Sequence, residues 1–223
     1  MNFQKIRAVL FDLDGTLLDT IGDIRSALNE ALRSFGYPVV TLDDCKRLIC
    51  NGVRRLVGDA LPEGSSEEQK DAVLAVYQPI YAENIDVLTA YYSGAQEILK
   101  ELTEKGYRVG VITNKTQKHA EYLIGKYFPE TEFEIIWGNN GVRPLKPSTE
   151  SGVLACETLR LSPEEILFIG DGDTDIRFAV NNGFGACGVS WGYRDAALLR
   201  ELGADVVIDD FGELGKLLNG VRG

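Results

Sequence analysis

Two short acidic stretches hold the residues best suited to chemistry in this chain, Asp12-Leu13-Asp14-Gly15-Thr16 and Asp171-Gly172-Asp173-Thr174-Asp175. Side chains at i and i+2 of an extended segment point the same way, so Asp12 and Asp14 converge on one point. Gly15 lets the chain turn sharply just beyond them. Paired carboxylates repel one another unless a cation or a proton lies between them. The second stretch begins like a calcium loop, but Ile176 and Asn182 occupy positions where an EF-hand needs Gly and Glu. Hard oxygen ligands from two places in the chain fit Mg2+, which uses few carboxylates and keeps several waters when it also binds phosphate.

Complementary groups lie elsewhere. Thr113, Asn114 and Lys115 offer a hydroxyl, an amide and an ammonium in succession, all able to donate to phosphate oxygens. Lys146 stands in Pro144-Leu145-Lys146-Pro147, where the prolines limit its backbone freedom. Taken singly, Thr113 or Asn114 reads equally well as a helix cap and Lys146 as a surface lysine. Their order along the chain favours a shared site.

The elements that must position these groups can be read from periodicity. Continuous apolar runs at 8–11, 109–113, 166–170, 186–189 and 206–208 have the pattern of strands buried on both faces. Helical patterns at 93–105, 117–127, 149–159, 175–182 and 195–202 alternate with them, which predicts an α/β fold with a doubly wound parallel sheet. Both acidic stretches then follow strands, at the sheet edge where such folds bind ligands. Residues 16–91 break the rhythm with helical patterns and start signals near Thr41 and Ser65-Ser66. They are expected to form a helical cap inserted into a core made of 1–15 and 92–223. Ser93-Gly94-Ala95-Gln96 reads as a capping box opening the first helix after the cap.

Composition narrows the function. The 223 residues carry a net charge of −11, with 44% apolar and 26% charged residues, as in ordinary globular proteins. No basic cluster exceeds Arg54-Arg55, which argues against a nucleic-acid partner. Such a negative chain repels phosphate esters at long range, so local positive charge must reverse the field at any phosphate site. No apolar run approaches the roughly 20 residues of a membrane span. The first residues lack a signal peptide's apolar core, so a cytoplasmic protein with reduced cysteines is expected. Gly183-Phe184-Gly185-Ala186-Cys187-Gly188 has dinucleotide-loop spacing but precedes a strand instead of following one. The single histidine, His119, is expected on a helix surface.

Taken together, Asp12/Asp14, Thr113, Lys146 and Asp171/Asp175 resemble, in order, the four motifs of the haloacid dehalogenase-like hydrolase superfamily. The resemblance implies a Rossmann-like core, Asp12 as nucleophile and Asp14 as general acid/base. It implies Mg2+ held by Asp12, the Asp14 backbone carbonyl and Asp171, with Asp175 reaching it through water. Thr113 and Asn114 would hold the phosphoryl group, and Lys146 would steady Asp12 and the transferring charge. Asp173 is expected only to support them.

Within the superfamily the whole chain looks most like the phosphoglycolate phosphatase group, through Asp12 to Thr20, Asn114-Lys115, 143–147, Trp191-Gly192-Tyr193-Arg194 and Gly203-Ala204-Asp205. The resemblance therefore implies a small phosphorylated metabolite as substrate, most simply 2-phosphoglycolate, and a monomer or homodimer. Asn51, Gly52 and Arg55 are the expected substrate contacts from the cap, with Arg54 or Arg55 as a grip for a carboxylate. Cys50 departs from the group's usual glycine, and Ala90 and Ser93 from its usual arginine and proline. Alternatives are a β-phosphoglucomutase-like mutase, a pyrophosphatase, another sugar or nucleotide phosphatase, or a regulatory domain that binds phosphate without catalysis.

Overall fold

A computed structural model of the chain describes residues 2–219. After a short 3-10 helix (Phe3–Lys5) come β1 (Ala8–Phe11) and β2 (Leu18–Asp19), then four helices, α1 (Ile21–Ser34), α2 (Leu42–Leu48), α3 (Val53–Ala60) and α4 (Glu67–Glu83). The chain returns through β3 (Ala90–Tyr91) and α5 (Ala95–Glu104) to β4 (Arg108–Thr116), α6 (Gln117–Tyr127) and β5 (Ile135–Asn139). The remainder is α7 (Glu150–Leu159), β6 (Ile166–Gly170), α8 (Asp173–Asn182), β7 (Gly185–Val189), α9 (Ala196–Glu201), β8 (Val206–Ile208) and α10 (Phe211–Asn219).

Six strands form one parallel sheet in the order β5-β4-β1-β6-β7-β8. Helices flank it, so β1 and β6 are buried along their whole length, as their unbroken apolar runs require. The strand order reverses at β1, and the crevice past the C-terminal ends of β1, β4 and β6 is the topological switch point. Register fixes the neighbours: Phe11 pairs with Val111 on one side and Ile169 on the other. Asp12, Thr113 and Asp171 therefore emerge close together.

The helical interval begins and ends on adjacent strands. β2 and β3 pair antiparallel, Leu18 with Tyr91 and Asp19 with Ala90, as a two-stranded ribbon absent from the expected all-helical interval. Beside the ribbon, the buried Asp23 carboxylate accepts from Leu88 N at 2.9 Å and from Thr89 N and Oγ1, each at 2.8 Å. Thr41 with Asp44 forms a capping box as read, and the second signal falls one residue further on, with Ser66 and Gln69 forming the box in place of Ser65 and Glu68. Ser93 forms no such box: Gly94, left-handed at φ +86°, caps α5 without a side-chain bond. Gly183 is likewise the left-handed cap of α8 and leads into β7, so the glycine pattern there ends a helix. No helix among the described residues is long and apolar enough to cross a membrane.

Candidate active site

Asp12, Asp171 and Asp175 meet at the switch point. Each offers a carboxylate oxygen within 4.8 Å of the others, and all three are buried. Lys146, on the loop after β5, reaches in between: its Nζ lies 2.8 Å from Asp12 Oδ1 and 2.7 Å from Asp175 Oδ1. Burial raises the Asp12 pKa from 3.8 to about 6, with Lys146 pulling it down and Asp175 and Asp14 pushing it up. Asp171, buried beside Asp175 and Asp12 and with no ion pair among the described residues, is pushed well above the carboxylate range. The two neighbouring carboxylates hold Lys146 above its ordinary value, against the effect of burial.

Each carboxylate is held by its own support. Thr16 Oγ1 donates to Asp171 Oδ1 at 3.2 Å and the Tyr193 backbone N–H donates to Oδ2 at 2.8 Å. Gly15 and Gly192 press on the same carboxylate; a Cβ on either would lie 2.4 Å and 2.1 Å from Asp171 atoms. Asp175 Oδ2 accepts the Gly172 N–H at 2.8 Å, capping its own helix. Asp173 stays outside this cluster and faces Arg194 Nε at 3.4 Å. Arg194 in turn donates to the carbonyls of Lys46, Arg47 and Ile49, tying the end of α2 to the core.

The Asp14 side chain has partners of its own. Lys115 Nζ donates to its oxygens at 2.9 and 3.1 Å, and Thr20 Oγ1 donates at 2.7 Å. Lys115 also donates to Tyr81 Oη on α4 at 2.5 Å. Thr113 is buried and borders the cavity. Asn114 borders it too, but its carboxamide is fully engaged: it bonds both backbone groups of Lys146, at 2.8 and 3.0 Å, and the Cys50 carbonyl at 2.8 Å. The geometry thus gives Asn114 the task of placing Lys146, where the sequence offered it for substrate.

A cavity of about 380 Å³ opens above these groups. Its far wall comes from the helical interval, through Ile24, Gly52, Val53, Leu56, Pro79 and Ala82. Cys50 also borders it, in a left-handed conformation at φ +96° that explains the usual glycine. Burial and the neighbouring Asp171 push its thiol well above the ordinary range. Asn51, beside it, does not border the cavity. Arg54 and Arg55 do not reach the cavity: Arg54 is exposed and paired with Glu67 and Asp71, and Arg55 is exposed and 3.2 Å from Asp59. His119 corrects the expectation in the other direction, because it is half-buried, lines the cavity and packs edge-on against Tyr81 at 5.4 Å. Tyr77 and Tyr81 were also missed; their i, i+4 spacing on one face of α4 was the available signal.

Four carboxylates (Asp12, Asp14, Asp171, Asp175) face two ammonium groups (Lys115, Lys146) in this buried crevice. The excess negative charge and the all-oxygen donor set fit a divalent hard cation such as Mg2+. Comparison with known proteins agrees with this chemistry. The family model for haloacid dehalogenase-like hydrolase matches residues 9–189. Phosphoglycolate phosphatase 1 of Pseudomonas aeruginosa is 32% identical over 93% of this chain and 78% of its own length. Phosphoglycolate phosphatase of Vibrio parahaemolyticus is 28% identical, covering 96% of each chain. A crystal structure of a Lactobacillus delbrueckii protein aligns at a TM-score of 0.90 and 28% identity, covering 95% of this chain and 98% of the other. With its core sheet, its four motifs and the cluster they build, the chain belongs to the haloacid dehalogenase-like hydrolase family.

Proposed function

We propose that the protein is a Mg2+-dependent phosphatase that hydrolyses a small phosphate monoester, 2-phosphoglycolate, through an aspartyl-phosphate on Asp12. The observation that carries this reading is Asp12 itself, buried at a switch point and held by Lys146 beside Asp171 and Asp175. The names of the relatives support the substrate.

Asp12 attacks phosphorus, which splits hydrolysis into formation and breakdown of an acyl phosphate. Lys146 fixes the attacking carboxylate and, with Thr113, faces the charge that develops on the transferring group. Asp12, Asp171, Asp175 and the Asp14 carbonyl would hold Mg2+, which would supply positive charge to balance that on the phosphoryl oxygens. Asp14 protonates the leaving alkoxide and then takes the proton of the attacking water. Lys115 and Thr20 hold its carboxylate for that role.

Residues 16–91 act as a cap on the linkers 16–19 and 89–93, closing over the site to exclude water during the first step. The paired linkers β2 and β3 support that reading. The protein works in the cytoplasm as a monomer or homodimer. The test is phosphate release with and without Mg2+ from 2-phosphoglycolate, sugar phosphates, nucleotides and pyrophosphate. Mg2+-dependent release that is fastest from 2-phosphoglycolate is expected. Fastest release from another ester overturns the substrate, and Mg2+-independent release overturns the metal.

A further inference from the structure

We infer that Lys115, Tyr81 and His119 form a subsite for a carboxylate on the leaving group, one carbon from the ester oxygen. This deepens the phosphatase reading and rests on it. The wall contributed by α1 and α3 offers no cation, because Arg54 and Arg55 are paired in solvent. Of the cationic side chains that do border the cavity, Lys146 is held between Asp12 and Asp175. Lys115 is the other ammonium, held by Asp14 and Tyr81 on the leaving-group side.

Its surroundings are built for an anion. The Lys115 side chain is only 4% exposed, so a charge-assisted bond there is weakly screened. Tyr81 accepts from Lys115, which leaves the phenol proton to be donated to something else. His119 lies against Tyr81 and has no hydrogen-bond partner among the described residues, although it borders the cavity. An ammonium, a phenol hydroxyl and an imidazole thus share one stretch of wall.

Position selects the chemistry. Lys115 touches Asp14, the group that must meet the ester oxygen in the proposed reaction. A carboxylate one methylene beyond that oxygen falls beside the same ammonium. The substrate class is therefore a small phosphate monoester with a carboxylate on the ester carbon, as in 2-phosphoglycolate. The corresponding ester ending in a hydroxyl enters the same place without a charge to pair with the ammonium. Since Tyr81 stands on α4 and Lys115 on β4, both halves of the fold contribute to the selection.

The experiment compares kcat/KM for 2-phosphoglycolate and 2-hydroxyethyl phosphate in the full-length, Mg2+-loaded protein. Taking the ratio cancels any effect of Lys115 on Asp14, which both esters share. Wild type should favour the carboxylate by at least about tenfold, the scale of one hydrogen bond to a charged group. Lys115→Gln should lower that ratio by about tenfold or more, with Lys115→Arg restoring part of it. Tyr81→Phe removes only a hydroxyl, preserves packing and should lower the ratio several-fold, mostly through KM. A ratio unchanged in both Lys115→Gln and Tyr81→Phe overturns the subsite, as does a wild type that prefers the hydroxyl ester. Those results leave the phosphatase reading standing. Failure of wild type to hydrolyse either ester, or any other monoester, overturns that reading and the subsite with it.

Discussion

Lys146 Nζ lies 2.8 Å from Asp12 Oδ1, with the lysine side chain 2% and the aspartate side chain 10% exposed. A buried ion pair is a poor source of net stability, because desolvation offsets most of the attraction. Here it has a different effect. It keeps a carboxylate that burial pushes up to about 6 aimed at one point beside two further carboxylates. Asn114 holds the lysine backbone from β4, so the aim of Asp12 depends on hydrogen bonds between that strand and the loop after β5.

Removing that lysine should leave Asp12 and Asp175 facing each other without a counter-charge. Lys146→Met is expected to lower unfolding free energy by about 3–5 kcal/mol, the usual penalty for an orphaned buried charge. The measurement is urea unfolding above pH 7 without Mg2+. A loss below about 1 kcal/mol would contradict the pairing as described.

The raised pKa of Asp12 has a defined sign. Its folded value of about 6 exceeds its ordinary 3.8, so folding takes up a proton between those values. The associated stability is complete below the ordinary value and is lost as pH rises through about 6. Mg2+ competes with that proton for the same oxygens. The rise in Tm on adding Mg2+ should therefore be larger at pH 8 than at pH 5, by calorimetry or dye fluorescence. An equal rise at both values counts against the cluster as the metal site.

Gly192 gives a separate handle on Asp171. A Cβ there would fall 2.1 Å from the Asp171 Cβ, so Gly192→Ala must displace the carboxylate. The Mg2+ concentration for half-maximal activity should rise about tenfold or more, as when a ligand's support is lost. An unchanged requirement would show that Asp171 is not a ligand.

Much of this was legible in the sequence, for physical reasons that differ by element. β1 and β6 are buried on both faces, so their runs contain no polar residue to blur them. α6 matches its predicted span from Gln117 to Tyr127. β5 escaped because it is a half-buried edge strand interrupted by Gly138, and β2 and β3 are too short for any period. α10 was also missed, as a short helix whose buried Phe211, Leu214 and Leu218 lie in a brief tail.

In the site, Asp12, Thr113, Lys146, Asp171 and Asp175 were readable because each follows a strand or stands at a fixed motif position. The cap side was not. Arg55 with Asp59 is an i, i+4 pair visible in the sequence, but the pairing of Arg54 depends on α3 meeting α4. Only tertiary packing brings Tyr81 onto Lys115 and His119.

Asp14 should show itself through the leaving group. Asp14→Asn is expected to lower kcat about 10²–10⁴-fold on an alkyl phosphate, the range for a general acid. The loss should shrink on p-nitrophenyl phosphate, whose departing phenolate needs no proton. Equal losses on both esters would assign Asp14 a purely structural part.

The most direct test of the account is acid-quenching of the enzyme during turnover, followed by peptide mapping for a phosphoryl group. The adduct should sit on the peptide containing Asp12 and be absent from Asp12→Asn, whose turnover should fall by about 10⁴-fold or more. An adduct on another residue, or wild-type turnover by Asp12→Asn, would contradict Asp12 as the nucleophile.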